Sequence, residues 1–310
     1  MGVFTSRNKL TTMEDAASMV KDGDIVAVGG GLCMREPIAI LRELARQGKR
    51  NLHLVGTAHG FDVDFCCGAG IAGAVQETHV SFEQDFGLAP NYRRACESGK
   101  VKIKENCCNT VIMQLRAAEF GIPFVPVRSI KGSDEIKLHP EFKPMVDPFT
   151  GKKVVLVPAL EPDVALIHVH KADVHGNLKI LPPYVADVLF IRAAKKVIVT
   201  AEEIIPEKQM IEEGPTIPYY ETTAVVEAPM GAHPTSCYPQ YAYDRKHISE
   251  YIASARESAE AFKAKYLDKF VFGLRSHNEY LEKIGGKAKR DQLASWNEGP
   301  ERWMELFTYE

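Results

Sequence analysis

The sequence predicts an α/β fold with an open, mostly parallel sheet flanked by helices and a helical extension at the C-terminus. Three observations predict it. Helix and strand signals alternate over the first sixty residues, later strand candidates are continuous apolar runs, and three glycines directly follow the first strand. Continuous apolar strands are typical of sheets covered by helices on both faces. A glycine turn after a strand is typical of ligand sites in such sheets.

The first sixty residues predict the parallel arrangement. Thr11 and Glu14 have the spacing of a capping box, which indicates the start of a helix. A strand is predicted at 25–28, Pro37 can open a second helix, and the next strand is predicted at 52–55. A strand, a helix and a second strand in this order form a βαβ unit, whose two strands are parallel.

The same alternation continues through the middle of the chain. Helical patterns cover residues 106–120 and 184–194. Strand candidates follow at 122–127, 154–157, 164–169 and 197–200. The second and third of these runs are of the kind that is buried on both faces. Residues from about 10 to 230 are therefore predicted to form one open α/β domain.

The last third of the chain differs in composition. Residues 201–243 are rich in Pro, Gly and Tyr and are expected to be ordered loops around one strand at 223–226. Residues 247–269 have the apolar stripe of an amphipathic helix. We expect a single domain over residues 1–285 and a polar tail over residues 286–310, packed on this chain or on another. The apolar residues that can anchor this tail are Trp296, Trp303, Met304 and Leu306.

Composition argues against several classes of protein. The formal net charge of -3, with scattered Lys and Arg, argues against a nucleic-acid partner. No apolar run approaches the roughly 18 residues that cross a bilayer, so we expect a cytoplasmic protein without a membrane partner. Seven cysteines without Cys-x-x-Cys spacing indicate the thiols of a reducing compartment. No carboxylate or thiol completes a recognisable set with His168, His170 and His175, so no metal site is predicted.

The glycine turn is the first candidate binding feature. Gly29, Gly30 and Gly31 follow the strand that begins at Ile25, at the sheet edge where ligands bind in open α/β folds. Backbone N–H groups can approach a ligand oxygen closely where no Cβ intervenes. The spacing lacks both the dinucleotide fingerprint and the P-loop lysine, so a nucleotide fits poorly. The three glycines are therefore candidate substrate-binding residues, although three glycines in a row more often form a tight turn than a binding site.

The segment from Asp22 to Pro37 resembles the signature of family I CoA-transferases: Asp-Gly, a hydrophobic run, Gly-Gly and a proline. It departs from that signature at Gly31, where the family usually has Phe, and at Arg35, where it often has Gly. Further segments resemble alpha-type subunits, and residues 227–244 are similar to the glutaconate CoA-transferase type. The resemblance covers roughly Thr12 to Gly285, and the matching segments beyond the signature are 118–127, 158–168, 172–177 and 227–244.

The resemblance implies the alpha subunit of a heteromeric CoA-transferase that moves CoA between an acyl-CoA and a carboxylic or dicarboxylic acid. In the family, a glutamate in a Ser-Glu-Asn-Gly motif of the beta subunit is the nucleophile. That motif does not occur in these 310 residues. A beta-type partner is therefore expected, in an alpha-beta heterodimer, an (alpha-beta)2 assembly or a larger one. The coenzyme A thioester would be a substrate, and no tightly bound cofactor is implied.

Three further residues are candidates for the site. The resemblance places Ser81 in a polar segment that contacts the acyl group, although an exposed polar loop explains this segment equally. Arg35 can pair with a second carboxylate of the substrate or be a solvated residue at a helix start. Glu105 is the candidate catalytic residue of this chain, because a glutamate in this neighbourhood acts as the base in steroid ring-cleaving CoA hydrolases, which the chain also resembles. A substrate contact or a structural role at a helix N-terminus are the alternatives for Glu105.

Two alternative functions stay open at the level of the sequence. The first is the alpha subunit of a ring-opening acyl-CoA hydrolase that uses Glu105 as general base. The second is a ligand-binding scaffold without catalytic activity, since α/β folds of this kind also serve as effector-binding domains. The sequence contains no DNA-binding segment, which argues against a regulatory scaffold.

Overall fold

The computed structural model describes residues 8–82 and 86–307. The strands within these residues are β1 (Ile25–Val28), β2 (Leu52–Val55), β3 (Ala58–His59), β4 (Ala72–Gln76), β5 (His79–Val80), β6 (Lys102–Ile103), β7 (Phe124–Val127), β8 (Lys143–Val146), β9 (Lys153–Pro158), β10 (Val164–Ala172), β11 (Leu178–Lys179), β12 (Val197–Ile204) and β13 (Ala224–Glu227). The α-helices are α1 (Met13–Ser18), α2 (Ile38–Arg46), α3 (Phe61–Gly68), α4 (Pro90–Glu97), α5 (Cys108–Glu119), α6 (Glu135–Leu138), α7 (Asp187–Ala193), α8 (Glu207–Glu213), α9 (Arg245–Glu257), α10 (Ala259–Phe262), α11 (His277–Ile284), α12 (Gly286–Ala294) and α13 (Pro300–Phe307).

The centre of the molecule is an open sheet with the strand order β13-β12-β10-β1-β2-β4-β6. Every neighbouring pair along this path is parallel, and β11 adds an antiparallel strand beside β10. The predicted open, mostly parallel sheet is therefore confirmed. The first βαβ unit, β1-α2-β2, has the parallel strands that the sequence predicts, and it lies at the middle of this sheet.

Helices cover both faces of this sheet, so side chains that alternate along a strand enter two different cores. On β10, Val164 and Leu166 join the core beneath α1, α2, α3 and α9. Ala165, Ile167 and Val169 join the opposite core beneath α5 and α7. This double burial explains why the central strands are continuous apolar runs rather than alternating ones.

Two predicted strands, 122–127 and 154–157, lie outside the main sheet. Residues 154–157 belong to β9, which pairs antiparallel with β7 and β8 in a separate three-stranded sheet. The inner face of this sheet packs Val127, Val155 and Val157 around Phe142 in a small core of its own. The apolar run predicts the strand correctly. It does not predict which sheet contains the strand, because a strand buried by this small core and a strand of the main sheet have the same apolar pattern.

Two helix boundaries also differ from the prediction. Helix α1 is capped by Thr12, whose hydroxyl accepts a hydrogen bond from the Asp15 amide, so the Thr11–Glu14 capping box is wrong by one residue. The helix predicted over residues 247–269 is interrupted at Ser258. That residue has extended backbone angles, and its hydroxyl accepts a hydrogen bond from the Ala261 amide, which starts a new helix. The apolar stripe continues through the break because a π-helix, Lys263–Phe272, follows α10.

The C-terminal third contains more regular structure than the sequence predicts. Residues 201–243 include the end of β12 and helix α8 in addition to the predicted strand, now β13. Residues 286–310 begin with α12, whose Leu293 is 2% exposed. Trp296 donates a hydrogen bond to the Pro239 carbonyl, and Met304 is half-exposed. The Trp303 and Leu306 side chains lie outside the described residues. No helix in the described ranges is long and apolar enough to cross a membrane.

Candidate active site

The carboxyl ends of the central strands meet at one edge of the sheet, and a cleft at this edge is called the edge cavity. Its volume is about 560 Å³, within the range of cavities that bind small molecules. Its walls are mostly apolar, with hydroxyl groups contributed by two serines and two tyrosines. The lining residues are Gly31, Leu32, Cys33, Met34, Ala58, Ser81, Phe82, Phe86, Val185, Ser236, Tyr238 and Tyr243.

The glycine turn builds one wall of the edge cavity, but its amides are used within the protein. Gly29 donates to the Leu166 carbonyl, Gly30 to the Asp187 carboxylate, and Gly31 to the Met34 carbonyl. Gly30 has φ +77°, and a Cβ there would lie 2.4 Å from the Met34 oxygen. The expectation that these three N–H groups point at a ligand is therefore wrong for this conformation. Gly31 contributes to the site as a cavity wall.

Arg35 differs from both expectations for it. Its side chain is 1% exposed and forms a 2.7 Å ion pair with Asp187, which is fully buried. The same guanidinium donates to the Pro183 carbonyl at 2.7 Å. Because its charge is already neutralised inside the protein, Arg35 is neither a solvated residue nor a free partner for a substrate carboxylate. Asp187 joins the glycine turn to Arg35, since one carboxylate accepts from both.

Ser81 lies in the edge cavity, where the resemblance implied an acyl contact. The residue is 6% exposed, and its amide donates to the His59 carbonyl at 3.1 Å. Its hydroxyl is within 2.7 Å of Nε2 of His79. Short strands β3 and β5 pair in parallel and hold Ser81 against the end of the main sheet. The serine hydroxyl is thus fixed at the cavity wall, and its role in substrate binding stays a prediction.

Glu105 lies outside the edge cavity. It follows β6 at the margin of the sheet, and its side chain is exposed. Helix α5 begins three residues later, at Cys108, and its first amides do not take their caps from Glu105. The Cys107 amide instead donates to Asn106 and to Glu135. A structural capping role for Glu105 is therefore wrong, while its proposed role as a base stays a prediction.

A buried set of ionisable groups lies directly behind the edge cavity. Nδ1 of His59 is 2.5 Å from a carboxylate oxygen of Asp62, and both side chains are fully buried. The Glu36 carboxylate accepts from the amides of Asp62 and Cys33, at 3.1 and 3.2 Å. Cys33 also lines the edge cavity, so Glu36 contacts a residue of the cavity wall.

Glu77 completes this set from the end of β4. It is 7% exposed, and neither of its carboxylate oxygens has a hydrogen-bond partner among the described residues. Nε2 of His59 also lacks a partner there. A Cβ added to Gly56 would lie 2.4 Å from Oε1 of Glu77 and 2.5 Å from Nε2 of His59. The missing side chain at position 56 therefore leaves a space into which both unpaired groups point.

Burial and mutual charge shift the titration of these groups. Burial raises the pKa of Glu77 to about 8, against the opposing pull of His59. Burial also raises the pKa of Glu36 well above its ordinary value, and Asp62 adds to this effect. For His59, burial alone would lower the pKa, but the Asp62 and Glu77 carboxylates outweigh burial and raise it to about 10.

Within the described ranges, three buried groups of side chains place potential metal-ligand atoms within 4.8 Å of one another. Two of them surround His168 and His233, whose ring nitrogens all have hydrogen-bond partners. The first of these corrects the expectation that no carboxylate or thiol accompanies His168, since Glu202 and Cys237 lie beside it although they are distant in sequence. The third consists of Glu36, His59 and Asp62. In this group Nε2 of His59 has no hydrogen-bond partner among the described residues.

Sequence reasoning missed Asp187 and the set around His59. A weak signal for Asp187 is the single acidic residue at the start of an otherwise apolar helix pattern. For His59 and Glu77 the signal is positional: each follows closely on one of two strands, and β2 and β4 are neighbours in the sheet. Polar residues at the carboxyl ends of adjacent parallel strands meet at one edge.

Known proteins share this fold and much of this sequence. The family model for "Coenzyme A transferase" matches residues 10–228. The A-type subunit of glutaconate CoA-transferase from Acidaminococcus fermentans is 35% identical over 90% of this chain and 92% of its own length. The crystal structure of the glutaconate enzyme of that organism superposes with a TM-score of 0.86 at 34% identity, covering 92% of this chain and 95% of that one.

Two further relatives are similar to this chain over most of its length. The IpdA subunit of a cholesterol ring-cleaving hydrolase from Rhodococcus jostii is 30% identical over 86% of this chain and 94% of its own length. An uncharacterized protein of Archaeoglobus fulgidus is 38% identical over 92% of this chain, and the match spans 64% of that protein. The family match over most of the chain and the similarity to A-type subunits agree with the fold and the position of the cavity. The chain therefore belongs to the coenzyme A transferase family, among its A-type subunits.

Proposed function

We propose that this chain is the alpha subunit of a heteromeric enzyme that moves CoA between an acyl-CoA and a carboxylic or dicarboxylic acid. The observation that carries the proposal is the edge cavity, at the sheet edge where α/β folds bind substrates, in a chain of the CoA-transferase family. Its apolar walls and few hydroxyl groups suit an acyl chain with one polar end.

The chemistry of transfer needs a nucleophile that this chain is proposed to receive from a partner. In the proposed reaction a partner glutamate attacks the acyl-CoA carbonyl and expels CoA thiolate, which gives a mixed anhydride. The thiolate then attacks the glutamyl carbonyl, which releases the donor acid and leaves a glutamyl-CoA thioester, and the acceptor acid takes CoA by the reverse of these steps. The Ser-Glu-Asn-Gly motif is absent from this sequence, which supports a nucleophile on a beta-type chain. This chain would bind and orient the acyl group at Ser81 and exclude water with Phe82 and Phe86.

A second function is supported by one observation. The exposed Glu105 side chain follows β6 at the same edge of the sheet, and the Rhodococcus jostii relative is named as a ring-cleaving hydrolase subunit. In that alternative Glu105 would take a proton from the attacking water. A Glu105→Gln variant distinguishes the two functions, because it would abolish hydrolysis of a cyclic acyl-CoA but would leave exchange of CoA between two acids.

Trapping of the covalent intermediate tests the main proposal. The chain is purified together with a beta-type chain and incubated with acyl-CoA and borohydride, which reduces a glutamyl-CoA thioester. We expect loss of transfer activity and a reduced glutamate on the partner, detected by peptide mass spectrometry. Reduction of a glutamate of this chain, or full turnover without the partner, would contradict the proposal.

A further inference from the structure

The proposed function does not account for the buried side chains of His59 and Glu77 beside Gly56. Glu77 and His59 present three buried polar atoms with no hydrogen-bond partner in the described part of the chain: both carboxyl oxygens of Glu77 and Nε2 of His59. Unpaired buried polar atoms are costly, and where they occur in folded proteins an ion, a water molecule or a chemical role usually accounts for them. Oε1 of Glu77 and Nε2 of His59 each lie within 2.5 Å of the position that a Cβ on Gly56 would occupy. The two atoms are therefore less than 5 Å apart.

The charge of the surroundings favours a cation at that point. Glu36, Asp62 and Glu77 bring three carboxylates into a volume with at most 7% exposure, and His59 is the one cationic side chain that the described residues pair with them. Buried charges in proteins are paired or coordinate metals. A group of acidic residues alone would not indicate a ligand, but here the unpaired atoms of two buried side chains point to one spot.

The orientation of His59 also matches that of a metal ligand. Metal-binding histidines nearly always donate their second ring N–H to a carboxylate, a backbone carbonyl or water, which fixes the tautomer and the ring. Nδ1 of His59 makes this contact with Asp62, and the Asp62 carboxylate is itself held by the Val63 amide at 2.8 Å. This leaves Nε2 as the ring nitrogen that faces Glu77 across the space at Gly56, and a metal ion bound there would displace its proton.

We propose that Glu77 and Nε2 of His59 bind a divalent first-row metal ion at the carboxyl ends of β2 and β4. Asp62 orients the imidazole without coordinating the ion. One nitrogen and carboxylate oxygens suit Mn²⁺ and its neighbours, and water or a small ligand would fill the remaining positions. Ala58, directly before His59, lines the edge cavity, so the ion would lie just behind the cavity wall.

Binding of Mn²⁺ to the purified chain tests this site. Mn²⁺ is the suitable probe, because the seven cysteines would compete for thiophilic ions such as Zn²⁺. The chelator-treated protein is titrated with Mn²⁺ and followed by electron paramagnetic resonance. We expect one ion per chain, with a spin-echo modulation from a single imidazole nitrogen. Glu77→Gln should lose binding, Asp62→Asn should weaken it by about 10- to 100-fold, and Glu227→Gln should leave it unchanged.

Glu227 is the matched control because it is an exposed carboxylate at the end of another parallel strand, β13. Folding is controlled by the melting temperature without metal, which Glu77→Gln should keep or raise since it removes a buried acid. If Glu77→Gln does not fold, Mn²⁺ binding is measured on Gly56→Ala instead. This variant should also lose binding, because its methyl group fills the space between the two ligands. Absence of Mn²⁺ binding by the wild type, or equal binding by Glu77→Gln, would overturn the proposal. Either result leaves the transferase proposal unaffected.

Discussion

At the scale of single residues, the carboxyl edge of the sheet contains two buried charged sets with different properties. The Arg35 and Asp187 charges neutralise each other, and the pair makes its polar contacts within the protein. The set around His59 instead keeps polar atoms at Gly56 that have no partner among the described residues. The Arg35–Asp187 pair stabilises the glycine turn, and the set around His59 is the one that we propose to bind a metal ion.

The Arg35–Asp187 pair gives the first prediction. Asp187→Ala leaves a guanidinium with 1% exposure unpaired, which should lower the free energy of unfolding by about 3–5 kcal/mol. Lys195→Ala is the control, since it breaks an ion pair whose lysine is 59% exposed and should lower the free energy of unfolding far less. Urea unfolding measures both. Equal effects of the two substitutions would show that the buried pair is not required for the turn.

Ser81 gives the second prediction, which depends on the proposed function. Ser81→Ala removes one neutral hydrogen bond to the acyl group, worth about 0.5–1.5 kcal/mol. The KM for the acyl-CoA should rise by about 2- to 10-fold in the assembled enzyme. Ser98→Ala, on the surface at the end of α4, should leave KM unchanged. An unchanged KM in Ser81→Ala would remove this residue from the substrate site.

At the scale of elements, the sequence predicts what depends on local pattern. The central strands are correct because burial on both faces makes them continuous apolar runs, as in 164–169. The location of 154–157 could not be predicted, because burial by a small separate core produces the same run. The break at Ser258 was missed because the apolar stripe continues through it. Ser81 lines the edge cavity, but its contact with the acyl group stays a prediction. Arg35 and Glu77 depend on partners distant in sequence.

Helix α12 gives the third prediction, because it is packed rather than a loose polar tail. Leu293 is 2% exposed, and its carbonyl accepts a hydrogen bond from the Ala242 amide. Leu293→Ala should lower the free energy of unfolding by about 2–4 kcal/mol. Lys287→Ala, on the same helix at an exposed position, should change it by less than about 0.5 kcal/mol. Equal stability of the two variants would instead indicate that residues 286–310 form a loose tail.

At the scale of the whole molecule, buried neutral histidines join distant segments. Nε2 of His170 donates to the Tyr238 carbonyl, and Nδ1 accepts from the Leu181 amide. Nε2 of His277 donates to the Pro229 carbonyl at 2.8 Å, and Nδ1 faces Arg42. In both rings, protonation of Nδ1 would remove the hydrogen-bond acceptor that faces an N–H donor. Burial is the main cause that lowers the pKa of His170 to about 4 and that of His277 to about 3.

These histidines give the fourth prediction. The unfolded chain binds protons at these residues near pH 6.5, while the folded chain binds them only at lower pH. Their contribution should therefore make stability fall as pH decreases from about 6.5 toward 4, by about 2–4 kcal/mol for each residue. Melting temperatures of wild type and His277→Gln measure this. The variant should lose less stability over that interval, and parallel curves would contradict the explanation.

The family places this chain among A-type subunits, and the central claim is that it catalyses CoA transfer only with a partner. The most direct test is an exchange assay with an acyl-CoA and a free acid, using the chain alone and the chain coexpressed with a beta-type chain that carries Ser-Glu-Asn-Gly. We expect no transfer by the isolated chain and transfer by the pair, abolished by Glu→Gln in the partner's motif. Transfer by the isolated chain at the rate of the pair would contradict the claim.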